Sequence, residues 1–295
     1  MASVAASRAR VGIQATRAYL GRWILDGALY VLMILIAVVA VFPLLWALST
    51  SFKEQARVMS LPPQFIPRPF VAENYLEIFQ IVPFHLFILN SLKVTLSILV
   101  LNLLACSLAG YSFARLRSPG RDAIFGVLLA ALMVPGALSL IPRYMLYQQL
   151  GWLDTHLSII VAPALASTFG TFLMRQFFLT LPKELEEAAL IDGASYPRIF
   201  FQIMLPLAKP ALAALAIFTF TTSWNEFLSP LVYLKSVDLL TLPAGLSFFG
   251  RSGTTPPAYN LLMAGSIVAM IPTVVVFLTF QRYFLRGIAV EGLKG

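Results

Sequence analysis

Apolar runs separated by short polar stretches dominate the chain. They extend from about Gly27 to Leu48, Leu86 to Phe113, Ala123 to Leu146, Leu157 to Phe178, Ala208 to Leu228 and Asn260 to Phe284. A helix rises about 1.5 Å per residue and a bilayer's hydrocarbon core is about 30 Å thick, so about 20 apolar residues make one span. The pattern predicts an all-α integral membrane protein of about six transmembrane helices over residues 27–284, with an N-terminal segment 1–26 and a tail 285–295. The first run follows Arg8, Arg10, Arg17 and Arg22, as a signal peptide's would. A signal peptide's apolar region is only about 7 to 15 residues and ends at a small-residue cleavage site, so a retained first helix is the reading.

Three connections are long. The segment from Ser51 to Pro83 contains Leu61-Pro62-Pro63, Ile66-Pro67 and Arg68-Pro69, which excludes one continuous helix. The segment from Leu181 to Pro206 is charged and amphipathic, and that from Ser229 to Tyr259 is rich in Gly, Pro, Ser and Thr.

Composition agrees with the spans. Hydrophobic residues make up 59% of the 295 positions and charged residues 12%, and the mean hydropathy is +0.84. A water-soluble domain carries roughly a quarter charged residues. The net charge of +8 forms no basic stripe with interleaved aromatics, so it gives no sign of nucleic acid. Instead the cations mark topology. Arg115, Arg117, Arg121, Lys183, Arg198 and Lys209 fall in short loops on one side, together with Arg282, Arg286 and Lys294 of the tail. Lys53, Arg57, Arg68, Lys235 and Arg251 are spread over the longer segments of the other side. The first set is the cytoplasmic one, which places both termini in the cytoplasm. Cys106 has no partner in the chain, and His85 and His156 are isolated, so neither a disulfide nor a metal site is expected.

Within Leu181 to Pro206, Pro182 suits a first helical turn, and Glu184, Glu186 and Glu187 suit the positive end of a helix dipole. Gly193 can take the left-handed conformation that stops the helix, and Ser195 stands as the N-cap of a second one with Ile199, Phe200, Ile203 and Met204 on its apolar face. Two short helices at a bend, lying between two spans, should pack on the bundle or on a partner. By local chemistry alone a polar surface connector fits equally well.

Resemblance adds to this. Glu187-Ala188-Ala189, then Asp192-Gly193-Ala194, then Ile203 and Leu205-Pro206, resembles the EAA loop of bacterial ABC importer permeases, in that family's place between the fourth and fifth spans. Ser51-Phe52-Lys53, Glu73-Asn74-Tyr75, Asn90-Ser91, Trp224-Asn225-Glu226-Phe227 and Leu242-Pro243 are similar to the carbohydrate-type permeases related to the maltose transporter's second membrane subunit. So is the ending, Gln281-Arg282-Tyr283-Phe284 through Gly292-Leu293-Lys294-Gly295, although members often show Ala-Val at 292–293. The resemblance implies a complex in the cytoplasmic membrane of a bacterium or archaeon. Its partners would be a second homologous permease, two ATP-binding subunits and an extracytoplasmic solute-binding protein. The loop would fit a cleft on the ATPase through Glu187, Ala188, Ala189, Asp192, Gly193, Ala194 and Pro206, and the tail would reach between the ATPases through Gly292, Lys294 and Gly295. ATP and Mg would belong to the partner, with no cofactor and no catalytic residue in this chain. The nearest phosphate-loop candidate, Gly250-Arg251-Ser252-Gly253-Thr254-Thr255, lacks the Lys.

Lys93, Asn102, Arg143, Arg175, Asn225 and Glu226 lie in or near apolar runs, where a charge at mid-bilayer costs at least about 2.5 kcal/mol. Snorkelling at span ends explains Lys93, Arg143 and Arg175; Asn225 and Glu226 are candidates for the translocation path. Pro135, Pro142, Pro163 and Pro272 are expected to kink or end spans. An ion-coupled secondary transporter would need a coupling site, often with inverted repeats, and a membrane-embedded transferase would need clustered acids, bases or metal ligands. Neither feature is evident.

Overall fold

The computed structural model describes residues 2–250 and 257–291, with side chains from 25 to 250 and from 257 to 280. Helices dominate it, joined by turns and irregular stretches, with no strand among the described residues. The chain starts with α1 (Ala2–Ser51), whose apolar part, Leu25–Ser51, leaves nearly every side chain up to Leu45 exposed within this chain. An extended stretch leads to α2 (Asn74–Ile81) and then to α3 (Phe84–Arg115), which forms the axis of the bundle. Around it stand α4 (Arg121–Ala130), α5 (Leu140–Gln149), α6 (Leu157–Leu165), α7 (Thr168–Thr180) and α8 (Glu184–Ile191). The remainder comprises α9 (Tyr196–Ile199), α10 (Leu205–Leu207), α11 (Lys209–Trp224), α12 (Leu228–Tyr233), α13 (Leu242–Gly250) and α14 (Tyr259–Glu291).

One of the expected straight spans is bent, and a second bend stands at the start of another. The third run turns by 98° between Arg121–Met133 and Gly136–Gln149, so a single helix from Ala123 to Leu146 is not what forms. Pro135 is the cause: it offers no N–H, and it pushes Val134 into an extended conformation at φ −85° and ψ 116°. The fifth run begins at a 77° bend that separates Tyr196–Leu207 from Lys209–Trp224, and α11 stops at Trp224 instead of reaching Leu228. Among the described residues four helices are long and apolar enough to cross a membrane, or up to six if each bent pair counts as one span. Pro142 sits in the first turn of α5, where a missing N–H is harmless, and Pro272 lies inside an unbroken α14.

Buried positions on α3 recur every three or four residues: Phe84, Phe87, Ser91, Val94, Ile98, Asn102, Cys106 and Gly110. That stripe serves two apolar cores. Near the Phe84 end, Phe84, Phe87, Val94 and Ile98 pack with Trp224, Tyr233 and Phe249; near the Arg115 end, Cys106 and Tyr111 pack with Met174, Phe178, Phe200 and Met204. Lipid tails are as apolar as these side chains, so close packing and interhelical hydrogen bonds must hold the bundle together.

Asn102 supplies such bonds between the two cores. It is 2% exposed, and its amide donates to the carbonyls of Pro163 at 2.9 Å and Ala164 at 3.4 Å, which are left over where α6 ends before α7. Its Oδ1 accepts from the Thr219 hydroxyl of α11 at 3.1 Å. Asn102→Leu would orphan groups on two neighbouring helices, and at about 0.6 to 1.7 kcal/mol per interhelical bond the expected destabilisation is about 2 kcal/mol. Thermal unfolding in detergent, followed by size exclusion, checks it.

Candidate functional site

At the Arg115 end, α7 stops at Thr180 and only three residues separate it from α8. Pro182 therefore stands just before the cap residue Lys183, not in the first helical turn as expected, while Glu184, Glu186 and Glu187 occupy that turn. The three carboxylates diverge. Glu184 and Glu187 are exposed, whereas the Glu186 side chain is 13% exposed and faces the bundle. There Glu186 Oε1 lies 3.4 Å from Arg115 Nε, and the Arg115 side chain is 4% exposed. Arg115 Nη2 also donates to the Phe178 carbonyl at 2.7 Å and to that of Leu181. Burial pushes the Glu186 carboxyl above its usual range, and the charge of Arg115 opposes that shift.

Gly193 ends α8 as expected, with φ +77°. The Gly193 N–H donates to Leu190 O at 3.0 Å and the Ala194 N–H to Ala189 O at 2.9 Å, the paired bonds of a Schellman stop. Ser195 occupies the next cap position with extended backbone but makes no side-chain cap bond, contrary to its expected role. The second limb runs through α9, a π-helical stretch Phe200–Met204 and α10. It is anchored by Ile199, Phe200 and Met204, all nearly fully buried. Outward, the two limbs present Glu187, Ala188, Asp192 and Gly193 together with Ile191 at 86% exposure, Tyr196 and Phe201; Ala189 is buried, Ala194 half-buried and Pro206 exposed. Charge beside uncovered apolar surface suits a protein partner.

Several motifs that are far apart in sequence meet at the Phe84 end. Asn74 donates to the carbonyls of Ser51 at 2.8 Å and Lys53 at 2.9 Å and accepts from Asn260 at 3.0 Å, and Ser51 Oγ lies 2.8 Å from Tyr75 Oη. Asn90 donates to Asp238 O at 2.7 Å and Leu240 O at 3.0 Å, and the next residue, Ser91, accepts from the Leu242 N–H at 2.7 Å. Asp154, at φ 57°, fastens the same region. Its carboxylate accepts from the Ser236 hydroxyl and from the N–H groups of Ser236 and Lys235, the latter two at 2.8 Å, and these bonds hold it below the usual carboxylate range. His156 is bonded to Leu239 O at 2.8 Å.

Asn225 and Glu226 are adjacent in sequence but line different cavities. Asn225 turns back to donate to Thr221 O at 2.8 Å and borders a space of about 240 Å³ with Pro243 and Thr273. Glu226 accepts the Ser229 N–H at 2.8 Å and lines a cavity of about 170 Å³ with Arg143, Ser158, Thr222 and Thr241. Lys93 is exposed, and Arg175 donates to Phe113 O at 3.2 Å with its guanidinium 4.2 Å from the Phe125 ring. The tail residues Gly292, Lys294 and Gly295 lie outside the described residues, as does Arg251. The Arg115–Glu186 pair escaped sequence reasoning. Arg115 counted only as a topological charge and Glu186 only as one of three acids at a helix start, and nothing local pairs residues 71 positions apart.

Comparison with known proteins bears on the whole chain. The family model described as "binding-protein-dependent transport system inner membrane component" matches residues 10–290. The arabinooligosaccharides transport system permease protein of Halalkalibacterium halodurans is 40% identical over 88% of this chain and 93% of its own length. The diacetylchitobiose uptake system permease protein of Streptomyces coelicolor is 37% identical over 86% and 84% of the two chains. The sn-glycerol-3-phosphate transport system permease protein of Yersinia enterocolitica is 34% identical over 90% and 96%. Among solved structures, a bacterial ABC transporter involved in the import of the acidic polysaccharide alginate shares the fold, with a TM-score of 0.79 and 23% identity over 88% of this chain and 96% of that one. The chain belongs to the inner membrane components of binding-protein-dependent transport systems.

Proposed function

We propose that the chain is one of two membrane subunits of an ATP-driven importer for a sugar or sugar-like solute, the class named for its relatives. The observation that carries the reading is the two-limbed element 184–207, fixed to the bundle on one side and presenting Glu187, Ile191 and Tyr196 uncovered on the other. It would dock on an ATPase subunit that binds ATP and Mg, while the tail residues Gly292, Lys294 and Gly295 reach between two such subunits. This end, with both termini, faces the cytoplasm in the proposed orientation, because the short basic loops lie here. The segments around Asn74 and 229–259 then face outward, toward a solute-binding protein, and Glu226 and Asn225 border the solute's path. ATP binding in the partners would bias two packings of the bundle, giving alternating access.

Glu187 is exposed near the positive end of α8, so it is free to meet a basic group on the ATPase. Glu187→Lys is expected to insert normally yet lose about tenfold or more of the copurified ATPase, the cost of reversing one interfacial charge. Coexpression with the other subunits and quantification of the captured ATPase check this. Solute uptake by this chain alone in liposomes would overturn the reading.

A further inference from the structure

We infer that Arg115 and Glu186 are positioning residues whose buried ion pair sets the angle of α8 against the bundle, so that α8, α3 and α7 move as one body; this rests on the importer reading. The two limbs of the docking element are anchored in different ways. The second limb buries Ile199, Phe200 and Met204, large side chains that fix it by packing. On α8 the one buried residue is Ala189, at 8% exposure, while Leu185, Leu190 and Ile191 face outward at 39%, 41% and 86%. A methyl group buries too little surface to hold a helix at a defined angle. What remains on its inner face is Glu186, and its partner is Arg115.

Arg115 is suited to that task. It is the last residue of α3, and its planar fork reaches three elements at once: the end of α7 through Phe178 O, the connector through Leu181 O and the first turn of α8 through Glu186. Lysine, with a single point charge, could not reproduce that geometry. Stability alone is a poor reason to keep such an ion pair, because desolvating two charges offsets much of their attraction; here the guanidinium is fixed by its hydrogen bonds to Phe178 O and Leu181 O, so Glu186 meets a counter-charge at a defined place, 3.4 Å away. The same helix is bonded at mid-length through Asn102 and at its far end through Asn90 and Ser91 to the segment 238–242. A force applied to α8 therefore enters a helix that holds both ends of the bundle.

The test uses the assembled transporter in nanodiscs, with Cys106→Ser as background and spin labels on cysteines introduced at the exposed positions Ser118 and Glu184, outside the residues assigned to ATPase docking. The probe for uptake is the sugar that copurifies with the binding protein. Arg115→Gln, Arg115→Lys and Glu186→Gln are each expected to broaden the label-to-label distance distribution. Copurified ATPase and basal hydrolysis stay near wild type, while sugar carried per ATP hydrolysed falls about tenfold, a typical size for a coupling term. Glu186→Gln leaves both carbonyl bonds of Arg115 in place, so it decides the matter if the Arg115 variants do not fold. An unchanged distance distribution overturns the inference. So does a parallel loss of uptake and hydrolysis, which would mark a merely structural pair. Failure of the importer reading looks different: the wild-type chain would then capture no ATPase.

Discussion

Gly193→Val is expected to leave the chain inserted and folded but to abolish most solute-stimulated ATP hydrolysis. At φ +77° a Cβ costs roughly 1 to 2 kcal/mol, and branching at that carbon adds to it. No neighbouring atom lies within 4 Å of the added Cβ, so the penalty is conformational and not steric. The chain relieves it by moving φ to negative values, which breaks the bonds from Gly193 to Leu190 and from Ala194 to Ala189 and turns α8 relative to the second limb. Both limbs contribute to one outward surface, so their relative angle is what a partner recognises. Gly193→Asn is the informative companion, because asparagine tolerates the left-handed region and should retain much of the activity. Hydrolysis and copurified ATPase, measured on the same preparations, check both variants.

The spans, the two-limbed loop and the stop at Gly193 were legible because each rests on local chemistry: run length, dipole-matched acids and a glycine at a helix end. The bends were only half legible. Pro135 announced an interruption, but a proline does not say whether a helix kinks slightly or turns by 98°. Ser195 shows the same limit, since its backbone adopts the cap conformation while its hydroxyl makes no cap bond. Contacts across the bundle were not legible. Asn74 with Ser51 and Lys53, or Ser91 with Leu242, appear in the sequence as separate short motifs, and only the fold makes them bonded pairs. Arg115 and Glu186 are the sharpest case: each had an adequate local explanation, a topological charge and a dipole acid, and those explanations hid the ion pair between them.

Gly110→Leu is expected to prevent assembly of the bundle, the largest effect of any substitution considered. A Cβ built at Gly110 would stand 2.6 Å from Met174 Cβ and 2.8 Å from the Arg175 nitrogen. The second of these is backbone, which cannot rotate aside. Two helices this close gain from dispersion over their whole contact, and small residues are what permit it inside a bilayer. Forcing α3 and α7 apart would also stretch the bond from Arg115 to Phe178 O, about one turn along, and the tie of Asn102 to the end of α6. Overpacking a core costs typically 1 to 3 kcal/mol, and a clash with main chain belongs at or above about 3 kcal/mol. Gly126 on α4 provides the control, because its added Cβ would meet nothing within 4 Å. Gly126→Ala should be neutral or stabilise by roughly 0.5 to 1 kcal/mol through the restricted unfolded chain. Monodispersity and thermal unfolding in detergent separate the two, and a Gly110→Leu chain that elutes and melts like the wild type would show that α3 and α7 do not pack this closely.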